Sequence, residues 1–160
     1  MGGYERWTEL VRLPAPAAGA AFKRKVDART YEMPLIVRFI LTTSAAVANR
    51  VPIIALQDGD GTEYCRFTSG ITVAASSIVA VTFAAGYGAT PTGSSTFATA
   101  PMSHVLIPPG FTLTCDAAAL DVGDTITSVS LWVKRFPTGE SGEPSGAVPY
   151  EPETTIVVMP

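Results

Sequence analysis

Histidine occurs once in the 160 residues, at His104, and cysteine only twice, at Cys65 and Cys115. A catalytic triad or a metal site would have to be built around that one imidazole, and neither thiol has a second thiol or a histidine at ligand spacing. The Gly-x-Ser-x-Gly elbow of serine hydrolases is also missing. These absences support no enzyme class, and the expectation is a non-enzymatic protein with no catalytic residue, no metal and no cofactor. Each cysteine lies inside an apolar stretch and reads as a small reduced core residue; a disulfide formed late in an oxidising environment is the alternative.

Charge is scarce as well. Only 16% of the residues are charged, against 47% apolar, and the net charge is -3. Such a chain buries too much to be disordered, and its uncharged surface is suited to meeting partners. There is no broad basic field to gather nucleic acid. The longest apolar run, residues 33–41, is interrupted by Arg38 and is too short to cross a bilayer, so no membrane partner is expected. The opening Met-Gly-Gly-Tyr-Glu-Arg-Trp lacks the basic start and apolar stretch of a signal peptide, and Arg6 stands where an acylation signal needs Ser or Thr. Synthesis in the cytoplasm without export is the expectation.

What the chain does contain is a series of short segments rich in Val, Ile, Thr and Phe, punctuated by Gly, Pro, Asp and Ser, with no helical period over three turns. Residues 35–43 place Leu35, Val37, Phe39 and Leu41 on one face and Arg38 and Thr42 on the other. Residues 51–57 are apolar on both faces, and Pro52 suggests a first-residue or edge position. Gln57-Asp58-Gly59-Asp60-Gly61-Thr62 reads as a hairpin turn. Its partner strand, residues 62–68, alternates Cys65 and Phe67 with Tyr64 and Arg66. Residues 77–85 turn Val79, Val81 and Phe83 inward.

Residues 86–101 hold mostly small and turn-forming side chains and read as a long surface loop. Residues 104–107 read as a short strand, joined through Pro108-Pro109-Gly110 in a second hairpin to the alternating Phe111, Leu113 and Cys115. After the turn Asp121-Val122-Gly123-Asp124, residues 125–136 point Val129, Leu131 and Val133 one way and Ser128, Ser130, Trp132 and Lys134 the other. Ile126 is out of phase, which predicts a β-bulge near Thr127 or Ser128. The fold class expected is all-β, an antiparallel jelly-roll-like β-sandwich with extended N- and C-terminal arms. Residues 1–31 form the leading segment, 32–136 the sandwich and 137–160 a Pro/Gly/Glu-rich arm.

The candidate sites are for partners. Lys23, Arg24 and Lys25 form a basic cluster for solvation or an intersubunit contact. Residues 137–160 carry Glu140, Glu143, Glu151 and Glu153 and no basic residue, so the two flanks attract each other within a subunit or between neighbours. The closing Ile156, Val157 and Val158 are suited to adding a strand to a neighbour's sheet edge, as an assembly arm. Trp132, on the face away from Leu131 and Val133, is a candidate interface anchor unless Trp7 or Tyr4 covers it. Asp58-Gly59-Asp60-Gly61 superficially suggests a calcium loop, but Glu63 and Ser69 stand where Gly and a bidentate Glu are required. Asp116, Asp121 and Asp124 read as turn chemistry rather than an acid pair.

Two stretches carry a family resemblance. One is Val37-Arg38-Phe39-Ile40-Leu41-Thr42-Thr43-Ser44-Ala45-Ala46-Val47-Ala48-Asn49-Arg50-Val51-Pro52 running into Asp58-Gly59-Asp60-Gly61. The other is Ile107-Pro108-Pro109-Gly110-Phe111-Thr112-Leu113 running into Val122-Gly123-Asp124 and Leu131-Trp132-Val133. Together they resemble small virion structural proteins of tailed bacteriophages that infect GC-rich bacteria. The resemblance covers residues 35–133 and implies a non-enzymatic β-sandwich that decorates or cements the capsid. Its implied partner is the major capsid protein and its implied location the virion, in a homo-oligomer for which a trimer suits threefold lattice sites. A tail or fibre component is the runner-up. From a different class, a carbohydrate-binding jelly roll would present Tyr87, beside the long loop, to a host-surface glycan.

Overall fold

The computed structural model describes residues 7–88 and 90–138. Among them the chain forms strands and no helix: β1 (Trp7–Arg12), β2 (Phe22–Lys25), β3 (Thr30–Thr42), β4 (Val51–Gln57), β5 (Glu63–Thr68), β6 (Ile78–Ala85), β7 (Thr92–Gly93), β8 (Phe97–Met102), β9 (Thr112–Ala118) and β10 (Thr125–Pro137). They build two sheets, a six-stranded one in the order β1-β10-β3-β6-β8-β7 (sheet A) and a four-stranded one in the order β2-β9-β4-β5 (sheet B). All pairs are antiparallel except β6 with β8.

The sheets bury their apolar phases against each other. Val37, Phe39 and Leu41 of β3, Val79, Val81 and Phe83 of β6, and Val129, Leu131 and Val133 of β10 come from sheet A. They share one cluster with Phe22, Ile54, Leu56, Leu113 and Cys115 of sheet B. Period-two alternation is sufficient to sort these side chains, because each strand presents successive residues to opposite faces. The Asp-Gly hairpin forms as predicted: the Asp58 carboxylate accepts the N–H groups of Asp60 and Thr62 at 3.0 and 2.8 Å, and Gly61 takes φ +85°. The predicted bulge is present too. The β10–β3 register shifts between Thr127 and Ser130, and Ser128 has φ +51°, a left-handed conformation that costs a non-glycine residue energy. It lets both Ile126 and Val129 turn inward.

Several expectations need correction. Residues 86–101 are not simply a loop: β8 lies parallel to β6 and buries Ala98, Ala100 and Met102. The strand escapes an apolar-run search because two of its three inward positions are alanines, set beside the bulky Val81 and Phe83 of β6. Residues 104–107 form no strand hairpinned to β9. Ile107 makes an isolated bridge to Glu32, while β9 lies between β2 and β4. Leu35 is only half-buried, because the β10–β3 register slips between Trp132 and Val133 where Leu35 lies opposite no residue. Pro52 is the second residue of β4, a central strand of sheet B. Residues 7–12 and 22–25 of the leading segment are ladder strands at the edges of the two sheets. With Lys-Arg-Lys in its four residues, β2 has no apolar run to detect, yet exposed lysines are what an edge strand uses to discourage unwanted pairing.

Each end of the sandwich is closed by a charged link between the sheets. At one end Arg50, which precedes β4, meets Asp124, which precedes β10; both are fully buried. The guanidinium donates to both carboxylate oxygens at 2.8 and 3.0 Å, and also to the carbonyls of Ala46 and Ala48 and the Ser44 hydroxyl. Asp124 accepts in addition the backbone N–H groups of Ser44 and Asp121 at 2.7 and 2.8 Å. At the other end the buried Glu32 of β3 accepts from Arg24 of β2 and, at 3.0 Å, from Arg135 of β10, which also pairs with Glu9.

Loss of water on burial would raise the Asp124 pKa, but the hydrogen bonds from Arg50, Asp121 and Ser44 outweigh it and hold the carboxyl at about 2, below its ordinary 3.8. Its contribution to stability is thus complete above the unfolded value and is lost as pH falls toward 2. Unfolding followed by urea at a series of pH values should show about 2 kcal/mol disappearing between pH 4 and 2 in the native chain. Asp124→Asn leaves the Arg50 charge buried without its partner, so at pH 7 it should cost about 3–5 kcal/mol. The same substitution should remove most of the acid sensitivity in that window.

Candidate interaction surface

The two outward faces of the sandwich differ in kind. On sheet B, Lys23 and Lys25 of β2, Asp116 of β9 and the exposed Arg66–Glu63 pair of β5 mix both signs, as a solvated surface does. On sheet A the inward phase leaves Leu10, Trp132, Ile36 and Ala84 side by side across four strands, because the ladder sets Leu10 against Trp132, Trp132 against Ile36, and Ile36 against Ala84. Trp132 is 46% exposed, Leu10 39% and Ile36 38%. Further along the same face stand Ile78 and Phe97, also exposed. The outward charges of this sheet are Arg12, Arg38 and Lys134, and no Asp or Glu points outward from its described strands. A contiguous apolar strip rimmed by charge of one sign is how interaction surfaces differ from ordinary ones.

The sequence-derived candidates are dispersed over this frame. Trp132 is on the apolar face, and Trp7 does not cover it: Trp7 lies opposite Arg135 and is itself exposed. Tyr4 lies outside the described residues, as do Ile156, Val157 and Val158. Lys23 and Lys25 point outward from sheet B, whereas Arg24, between them, turns inward to Glu32, so the basic triplet is not one patch. Leu10 and Ile36 escaped sequence reasoning. Each belongs to the outward phase of its own strand, but nothing in a single strand's alternation says that three strands align their apolar outward residues in one row.

Among the described residues, the chemistry-bearing side chains give no arrangement of nucleophile, base and orienting group. His104 and Tyr87 line a shallow depression of about 480 Å³ together with Phe67, Met102 and Ser103, and no carboxylate is among its described lining residues. The two cysteines are free thiols. Burial pushes the Cys115 thiol up to about 12, helped by the neighbouring Asp116 charge, which leaves no thiolate at neutral pH. Comparison with known proteins finds no match to any family model, any curated protein or any solved structure.

The thiols should therefore separate kinetically. With an aromatic disulfide reagent at pH 8, the half-buried Cys65 should react first, and Cys115 should react only at the rate of global unfolding. Two equally fast thiols would contradict this packing.

Proposed function

We propose that the chain is a jelly-roll structural protein of a tailed-phage virion, a capsid decoration or head accessory protein, homo-oligomeric, with a C-terminal arm over residues 137–160. Its partner is the major capsid protein, met through the outward face of sheet A. The observation that carries this reading is that face: Leu10, Trp132 and Ile36 form an exposed apolar row across three strands, and the charges pointing outward beside it are Arg12, Arg38 and Lys134. Buried aromatic anchors supply most of the energy of protein interfaces, and Trp132 at the middle of the row is suited to that part.

The strand order supports the jelly roll. Leaving aside β7 and β8 as an insertion and counting the other eight strands along the chain, sheet A runs 1-8-3-6 and sheet B 2-7-4-5. The pairs 1·8, 2·7, 3·6 and 4·5 read as the rungs of one long hairpin rolled up so that 8 meets 3 and 7 meets 4, an order that supports a double Greek key of the kind found in capsid proteins and lectins. A tail or fibre position would suit the same face. A second reading, a glycan-binding module, is favoured by one observation, the depression shared by Tyr87 and His104.

Co-sedimentation of the purified protein with empty capsids tests the reading. The native protein should bind and raise the capsids' resistance to heat, and Trp132→Ala should weaken binding at least about tenfold. Absence of binding at micromolar concentration would reject the capsid partner. Glycan-array binding abolished by Tyr87→Ala would establish the second reading in its place.

A further inference from the structure

The bulge in β10 does more than correct a phase. Where Ser128 adopts its left-handed conformation, the outward face of sheet A sinks into a depression of about 510 Å³, lined by Arg12, Leu13, Arg38, Ile40, Val129 and Ser130. Arg12 and Arg38 flank Ser130 in the ladder, one on each neighbouring strand, so their Cα atoms stand about 10 Å apart, two strand spacings. Both are exposed, and neither has an ion-pair partner among the described residues. Two free guanidinium groups over an apolar floor suit a segment that brings carboxylates and aliphatic side chains together. The chain itself contains one: Glu151, Glu153, Ile156, Val157 and Val158, in a terminal stretch with no Lys or Arg after Arg135.

We infer that this depression is the seat of the chain's own C-terminal segment, with Glu151 and Glu153 on Arg12 and Arg38 and the apolar residues that follow on Leu13, Ile40 and the adjoining Leu10–Trp132–Ile36 row. The length of the tail favours these residues. Ser130 lies seven residues back along β10 from Pro137, about 23 Å. Measured from Pro137, Glu140 spans at most about 11 Å and Glu143 about 22 Å, so Glu143 reaches only with the chain fully extended, whereas Glu151 spans up to about 50 Å and reaches with slack. Tethering favours the molecule's own tail over a neighbour's, since a segment joined to its seat through a short stretch of the same chain has an effective concentration on the order of millimolar. The seated tail covers the apolar row, and a partner taking that face displaces it. The inference stands independently of the virion reading.

Hydrogen exchange on the full chain tests it. Amides of residues 151–158 should be protected at micromolar protein, independently of concentration, and the protection should fall about tenfold in Arg12→Glu/Arg38→Glu. The equally exposed Lys23→Glu/Lys25→Glu pair, on the other sheet, should leave it unchanged. Combining Arg12→Glu/Arg38→Glu with Glu151→Arg/Glu153→Arg should restore protection, which separates a specific pairing from a folding defect. Exchange of the native tail at the rate of an unstructured peptide would overturn the proposal. So would an equal effect of the lysine variant, or protection that grows with protein concentration, the sign of a neighbour's tail in the seat.

Discussion

The Arg50–Asp124 pair joins the starts of two strands that belong to different sheets, and the geometry of one end of the molecule follows from it. A buried ion pair is stable only if the loss of water is repaid in full, and here the guanidinium and the carboxylate find hydrogen-bond partners in each other, in two carbonyls, in a hydroxyl and in two backbone N–H groups. Those extra partners belong to residues 44–48 and to Asp121. The pair therefore holds two connecting loops in fixed positions as well as two strands. The loops are close enough that a side-chain carbon on Gly123 would meet the Ser44 Cβ at 2.9 Å. Val47 and Val122, at the tips of these loops, remain almost fully exposed.

Glu32 performs the corresponding task at the other end, with Arg24 from sheet B and Arg135 from sheet A. Buried charge is thus placed at the two ends of the interlayer space, and the middle is left to apolar side chains. Because the ends are tied, the outward face of sheet A can be apolar without being needed for the fold. Its Leu10, Trp132 and Ile36 are free to contact something else, a tail or a partner.

Much of the core was legible from alternation alone. Val37, Phe39, Val81, Leu113 and Leu131 all meet between the sheets, and Ile126 out of phase with Val129 located the bulge to within a residue. The failures have one physical origin. β8 carries alanines where a strand's apolar signature should be, β2 carries cations because it is an edge, and the Pro108-Pro109-Gly110 turn looks like a hairpin though its flanks pair with remote strands. In each case the residues answer to a neighbour in space rather than to their own segment.

The candidate site divides along the same line. Trp132 was visible as an outward aromatic from the phase of its strand, since period-two alternation is a local property of the backbone. Its companions Leu10 and Ile36, the cations Arg12 and Arg38, and the partners of Arg50 and Glu32 were assigned by the tertiary structure alone. Antiparallel register across non-consecutive strands brings together residues more than a hundred positions apart, such as Leu10 and Trp132, and no local pattern in the chain encodes which of them will be neighbours.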